Sequence, residues 1–398
     1  MRYGPGDREE AYYRYIPFDV PTGTPGLTVH LAYDRSQATV DLGLFDPDGF
    51  RGWSGGERDH VSITPAASTP GYLPGAVQPG EWQIVLGLYS LPLEGVDVAA
   101  TVILDGSPVP APDAPDRPLR PERNFSPPAE EGRRWVAGDL HAHTLHSDGK
   151  LSVDQLATLA VSTGLDYLAV TDHNTISHHR ELPAASRRYG ITLLAGQEVT
   201  TPEGHANCFG EVGWVDFREG SDAWIEQGRR RGGILSVNHP VAPGCSWHRP
   251  LDQAPDLVEL WHWTWDRLSP EPIAWWRSFG AHTPVGGSDF HNPEFHRLGS
   301  PTTWLEVPAG EDLEPGHLLE ALRSGRVTVS ADPATPPIVV HDGRVVVSDA
   351  DSTVLISGDG RRLPVSGNSF SVRATPGLWV LVGGDGRCLS MCQVKTGE

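Results

Sequence analysis

From residue 135 onward the chain alternates short apolar runs of strand character with helix-forming stretches, and a residue able to bind metal stands near the carboxyl end of each run. That alternation is the grammar of a parallel α/β sheet or barrel. The unit after residue 150 opens on a capping-box pair, Ser152 and Gln155, and closes on Gly164 before the run 167–170. A second helix, 222–231, carries arginines in its last turn and stops at Gly232-Gly233 before the run 234–237. The third unit runs from Glu271 through Trp275-Trp276 to Gly280 and then 283–285. Residues 318–325 read as a closing helix, followed by a strand over 326–329. In barrels of this kind the chemistry gathers at the carboxyl ends of the strands.

The flanks follow other rules. Residues 1–107 hold β-rich runs at 27–32, 39–45, 82–89 and 96–104 with a strong turn at Asp46-Pro47-Asp48-Gly49, the pattern of an N-terminal β-sandwich accessory domain. A linker is expected over 108–134, because the proline-dense stretch 107–118 disfavours both helix and sheet interior. The metal-binding residues then fall in a domain spanning 135–333, and 334–398 reads as a small C-terminal β appendage of short strands between Gly-Asp turns.

Charge limits the partners. With 31 basic and 51 acidic residues the net charge is −20, which denies nucleic acid a broad basic track. The first ten residues lack the apolar core of a signal peptide and no apolar run is long enough to span a bilayer, so a cytoplasmic protein with no membrane partner is expected. A homo-oligomer is compatible with this composition. Cys208, Cys245, Cys388 and Cys392 lack the paired spacing of a zinc ribbon and read as free thiols.

The densest chemistry lies in Gly138-Asp139-Leu140-His141-Ala142-His143-Thr144-Leu145-His146-Ser147-Asp148-Gly149. His141 and His143 stand two apart on an expected strand, so their rings share a face and can grip one metal. Asp148, His173, Glu198, His205, His239, Asp289 and His291 complete a set of nine metal-ligand candidates. Nine exceed the needs of one ion and suit two or three divalent ions, with Glu198 as the bridging carboxylate. Imidazole and carboxylate without thiolate favour zinc, manganese or iron. Asp148, before Gly149, has an ordinary use in a turn, and His205 reads as a loop residue. Asp172 is expected to support a ligand imidazole without touching metal. His146 is a candidate proton donor to a leaving group, and Arg297, with Lys150 and Arg267 beside it as alternatives, a candidate to hold a substrate phosphate. His262, within the Trp-rich run 261–266, is a candidate to face the pocket. His30, His60, His178, His179, His248, His282 and His317 read as surface or core residues.

The same residues carry a family resemblance. Asp139 to Thr144 with Ser147-Asp148-Gly149, Thr171-Asp172-His173, Gly196-Gln197-Glu198, Asn238-His239-Pro240 and Ser288-Asp289-Phe290-His291 resemble the PHP (polymerase and histidinol phosphatase) superfamily over about residues 135–333. The resemblance implies a distorted (β/α)7 barrel with two or three metals and, usually, phosphoesterase activity. Glu198 followed by Gly204-His205-Ala206-Asn207 is similar to the carbaryl-hydrolase-like (CehA/McbA) branch and to a small-nucleotide phosphatase branch. Many relatives carry a second acidic residue where this chain has Gln197.

The leading expectation is therefore a metal-dependent hydrolase that cleaves a small phosphomonoester or phosphodiester with a metal-bound hydroxide. A carboxylic ester or carbamate hydrolase using the same metals is the alternative, and a metal-stabilised binding module a third reading. The long Trp-rich loops lean toward a substrate with an apolar or aromatic part.

Overall fold

The structure, a computed structural model, describes residues 1–105, 113–265, 267, 269–280 and 282–395; the 108–112 part of the expected linker lies outside the described residues. The N-terminal region forms two larger antiparallel sheets beside a two-stranded pairing of Arg2–Tyr3 with Val96–Asp97. One is ordered β1(Tyr13–Val20), β6(Gly80–Ser90), β3(Thr39–Asp46), β4(Gly49–Trp53), and the other β5(His60–Ile63), β2(Leu27–Ala32), β7(Ala99–Ile103). Their alternating apolar residues, among them Val29, Leu42, Leu44, Val61, Ile84 and Leu86, share one core.

The second region is built from β8(Arg133–Asp139), α1(Val153–Thr163), β9(Tyr167–Val170), α2(Leu182–Tyr189), β10(Thr192–Thr201), β11(Gly204–Phe209), α3(Ser221–Arg230), β12(Ile234–Val237), β13(Leu257–His262), α4(Pro270–Ser278) and β14(Thr283–Gly287). It continues through β15(Thr302–Pro308), α5(Pro315–Ser324) and β16(Val327–Ser330). Local chemistry sets the first helix: Ser152 Oγ accepts from Gln155 N at 3.2 Å, Gln155 Oε1 accepts from Ser152 N at 2.9 Å, and Gly164 ends it at φ 92°.

These strands belong to one 13-stranded sheet whose first part runs β14-β13-β12-β11-β10-β9-β8-β15-β16. The uniformly parallel arrangement expected from the alternation is not what forms. β8, β9 and β10 are parallel, as are β12, β13 and β14, but β11 is antiparallel to both its neighbours. Only Pro202 and Glu203 separate β10 from β11, too short a connection for a crossover, so the chain must return as a hairpin. The ladder is not a closed barrel either. β14 meets the β8 side through one isolated parallel bridge, Ala142–Phe290, and through Thr303 Oγ1, which donates to Gly286 O at 2.8 Å and accepts from Gly286 N at 2.9 Å.

The C-terminal residues extend this sheet. β16 pairs with β23(Cys388–Val394), which leads on to β22(Gly377–Val382), β19(Thr353–Ile356) and β20(Arg362–Val365). A separate small sheet holds β17(Val339–His341), β18(Arg344–Ser348) and β21(Ser369–Arg373). No disulfide forms among the described residues, and Cys208, Cys388 and Cys392 are buried. No helix of the described residues is long and apolar enough to cross a membrane.

The N-terminal sheets are fused to the second region by a shared apolar cluster. Trp53 and Val85 pack with Val199, Phe217, Trp224 and Trp247, and Phe50 stacks on Trp214 with ring centroids 4.2 Å apart. A buried aromatic removes roughly 150–250 Å² from water, worth about 4–6 kcal/mol before conformational entropy is subtracted. Several such residues at one junction make it a core, not a hinge.

Candidate metal centre

The chain leaves β8 at Asp139 and stays extended across the Ala142–Phe290 bridge: His143 N donates to Phe290 O at 2.8 Å and Phe290 N to His141 O at 3.2 Å. His141 and His143 thus lie just beyond the strand, but alternation about Ala142 still turns both rings to one side. Asp139, fully buried, fastens these ends together by accepting from His141 N, Ser288 N and Gly299 N at 3.1, 3.0 and 2.8 Å. Glu198 lies inside β10, facing inward, while its neighbour Gln197 turns away and makes reciprocal bonds of 2.8 and 2.9 Å with the Val215 backbone. The hairpin sets His205 opposite Thr200, so the ring falls on the Glu198 face. His239 follows β12 at φ 27° and Asp289 follows β14 at φ 49°. Such left-handed positions cost non-glycine residues about 1–3 kcal/mol each, strain that here serves to aim a side chain.

All nine sequence candidates for metal ligation converge. Their donor atoms fall into overlapping groups, each within 4.8 Å: His143, Asp148, His173 and His291; His141, His143, Glu198 and Asp289; Glu198, His205 and His239; and His239, His262 and Asp289. Glu198 is the hub. Its Oε1 lies 3.2 Å from His141 Nε2, 3.3 Å from His205 Nδ1 and 3.4 Å from His239 Nε2, and its Oε2 lies 2.7 Å from His173 Nδ1 and 3.5 Å from His143 Nε2. Asp289 Oδ1 is 3.0 Å from His143 Nε2 and 3.2 Å from His141 Nε2. Asp148 closes the outer edge, 3.2 Å from His291 Nε2, and is the most open member at 40% exposure.

Burial disfavours charge on every member, and neighbours decide the outcome. At His141 burial is overcome by the carboxylates of Glu198, Asp289 and Glu259, which hold its pKa well above the imidazole norm. At His143 burial, reinforced by His291 and His173, pushes the pKa down to about 4. His291 rises to about 9 against its burial, through Asp148. Glu198 and Asp289 resist burial and are held well below the carboxylate norm, with His141 the first stabilising partner of each.

This donor set fits metal ions. His141 Nε2, Glu198 Oε2, Asp148 Oδ1 and His205 Nδ1 are buried and have no hydrogen-bond partner, although each faces other donor atoms. Buried polar atoms are otherwise almost always satisfied. If the imidazoles are neutral, as ligation requires, the carboxylates of Asp148, Glu198 and Asp289 leave an uncompensated negative charge that divalent cations would balance.

One residue escaped the sequence, and another, expected only to face the pocket, comes closer than that. Glu259, 2% exposed on β13, places Oε2 2.7 Å from His141 Nδ1 and so directs Nε2 into the cluster. His262, at the end of the same strand, brings Nε2 to 3.4 Å from Asp289 Oδ2 and joins a donor group. An ionisable residue in the apolar run Leu257–His262 was the available signal for Glu259.

Other expectations need correction. His146 is buried away from the cluster, with Nδ1 2.7 Å from Ser177 Oγ and Nε2 3.2 Å from Glu181 Oε1, so it is not placed to donate a proton at the site. Arg297 is exposed on the loop after His291. Lys150 is paired with Glu57 at 2.7 Å and Arg267 is exposed. Asp172 does not support a ligand imidazole directly; it accepts from Thr144 and Ser147, and its Oδ2 lies 3.1 Å from His178 Nδ1. His205 stands on a strand, because the tight hairpin leaves little loop. His30, His60, His178, His179, His248, His282 and His317 join no donor group.

A family model described as PHP domain matches residues 139–232. An uncharacterized protein of Methanocaldococcus jannaschii is 31% identical over 142 residues, covering 32% of this chain and 82% of that protein. A 5'-3' exoribonuclease of Haemophilus influenzae is 41% identical over 63 residues, but the match spans only 16% of this chain and 23% of that protein. Among solved structures, a two-domain protein of Bacteroides vulgatus containing a "predicted PHP-like metal-dependent phosphoesterase" is 15% identical with a TM-score of 0.43, covering 72% of this chain and 100% of the other.

Proposed function

We propose that this chain, whose residues 139–232 match a family model described as PHP domain, is a metal-dependent phosphoesterase acting on a small phosphomonoester or phosphodiester. The observation that carries the reading is the convergence of five imidazoles on the two oxygens of Glu198, with partnerless donor atoms left among them. When bound, two or three divalent ions (zinc, manganese or iron) would supply Lewis-acid polarisation of a phosphoryl oxygen and a lowered pKa for water.

The chain's own residues prepare that chemistry. His143, Asp148, His173 and His291 would hold one ion at the open edge, while Glu198 and Asp289 belong to more than one donor group and would be shared between ions. Glu259 fixes the orientation of His141. Asp148, His173 and His291, with side-chain exposures of 40%, 21% and 20%, mark the side from which a phosphate can approach. An adjoining cavity of about 340 Å³, lined by Pro240, Val241, Leu260 and Trp265 beside His239 and His262, offers an apolar wall to a leaving group. The net charge of −20 argues against a long polynucleotide, even with an exoribonuclease among the relatives. No residue of the cluster favours the carboxylic ester or carbamate alternative.

The test is to purify the protein, quantify bound metals by elemental analysis, and assay the same preparation on p-nitrophenyl phosphate, bis-p-nitrophenyl phosphate and an aryl ester. Phosphoester turnover that vanishes in the His141→Ala/His143→Ala double variant is expected. Metal-loaded protein no more active on either phosphate than that variant would refute the reading.

A further inference from the structure

The loop that carries Asp148 is held from two sides by opposite chemistry. From within its own domain, Asp172 takes the loop's donors: Oδ1 accepts from Thr144 N at 2.8 Å and Ser147 Oγ at 2.7 Å, and Oδ2 accepts from Thr144 Oγ1 at 2.7 Å. From the N-terminal region, Arg58 takes the loop's acceptors: Nη1 donates to Ser147 O at 3.0 Å and Nη2 donates to Leu145 O. The Ser147 carbonyl belongs to the peptide that enters Asp148, so fixing it fixes the Asp148 backbone. Beside Arg58, Gly71 N donates to Ser177 Oγ at 3.1 Å and Gly71 O accepts from Thr175 Oγ1 at 2.8 Å. Gly71 has φ 99°, and a Cβ there would lie 2.8 Å from Trp53 O and 2.9 Å from His146 O, so no larger residue fits this contact.

We propose that Arg58 is a positioning residue for the ion held by His143, Asp148, His173 and His291, which makes the N-terminal region part of the metal centre. The inference rests on the metal-site reading above. Asp148 is the one member of that group borne by a turn without a strand behind it, and its Oδ1 must stay 3.2 Å from His291 Nε2 and 3.6 Å from His173 Nε2. A guanidinium donates to two carbonyls in a fixed fork, so one side chain can lock a turn that its own backbone bonds, Ser147 N to Thr144 O and Leu145 N to Leu151 O, only outline. The role is one of orientation, since a guanidinium stays protonated and has no lone pair for a metal, and both Arg58 Nη atoms bond backbone carbonyls.

The test is calorimetric titration of Mn²⁺ into metal-stripped full-length protein: wild type, Arg58→Ala, Arg58→Lys, and Phe50→Ala as a control that loosens the same junction away from the loop. Arg58→Ala should weaken one class of site by about 10- to 100-fold, the range for losing a residue that orients a ligand, and leave the rest unchanged. Arg58→Lys should recover part of the loss, and Phe50→Ala should lower the thermal midpoint without changing site affinities. Wild-type affinity at every site in folded Arg58→Ala would overturn the inference while leaving the metal reading intact. Equal weakening of all sites in Arg58→Ala and Phe50→Ala would also overturn it, as general destabilisation. Should Arg58→Ala fail to fold, unchanged affinities in Arg58→Lys would overturn it. A wild-type protein that takes up no Mn²⁺ would bring down the metal reading itself.

Discussion

Replacing Glu198 by glutamine isolates the charge at the centre of the cluster. The amide keeps the shape, and its oxygen can still accept from Asn238 Nδ2, now 2.9 Å from Oε1, so the substitution changes little besides charge. Glu198 is fully buried with five imidazole nitrogens at 2.7–3.5 Å, so solvent screens these interactions weakly. Removing one partner from a buried ionic set costs about 3–5 kcal/mol. At about 1.4 kcal/mol per decade this is a loss of roughly 10²- to 10³-fold or somewhat more in metal affinity. Calorimetric titration of the metal-stripped variant, with elemental analysis of protein as purified, measures it. Glu198→Gln that binds the wild-type number of ions with wild-type affinity would refute the view that this carboxylate is shared between ion positions.

Glu259→Gln should weaken metal binding by about 10- to 100-fold through the misoriented His141 ring, read by the same titration; an unchanged affinity would mean that the 2.7 Å contact is incidental. Arg297→Ala should leave metal content unchanged and stability within about 0.5 kcal/mol, checked by elemental analysis and denaturant unfolding. In metal-free protein the raised His291 pKa adds stability that is fully present below the unfolded value of about 6.5 and is lost as pH rises through about 9, whereas Asp148, Glu198 and Asp289 add stability present above about pH 4 and lost as pH falls through their depressed values. Metal uptake at pH 7 should therefore release protons, seen as a dependence of the calorimetric heat on buffer ionisation enthalpy; identical heats in all buffers would contradict the raised His291. Free metal at about 1,000 times its dissociation constant should stabilise the fold by about 4 kcal/mol per site, so the thermal midpoint should rise with metal and fall with chelator, and no movement would count against ligation.

What was legible in the sequence was whatever short-range chemistry dictates. His141 and His143 declared themselves by a spacing of two, and the capped helix from Ser152 to Gly164 by its end residues, because both signals lie within one or two turns of chain. The hairpin was missed although its cause is local: Pro202-Glu203 is short, but Gly204-His205 next to a turn resembles a loop as much as a strand. Glu259 left only a weak signal, for a different reason. A single carboxylate in an apolar strand has no spacing partner, and its meaning comes from His141, 118 residues away. The pairing of β16 with β23 is likewise a distant contact that no local pattern announces.

His146 shows how a motif can mislead. It lies in the same run as His141 and His143 and five residues after the first, so the sequence groups it with them, but the turn at residues 145–148 rotates it toward Ser177 and Gly71 instead. The motif is therefore divided: its first half supplies His141 and His143, and its second half supplies Asp148 together with the backbone on which the N-terminal region rests. That division explains why the contribution of Arg58 could not be read from residue types. Its acceptors are backbone carbonyls, which every residue carries, so nothing in Leu145 or Ser147 records that a guanidinium from 87 or 89 residues upstream holds the turn.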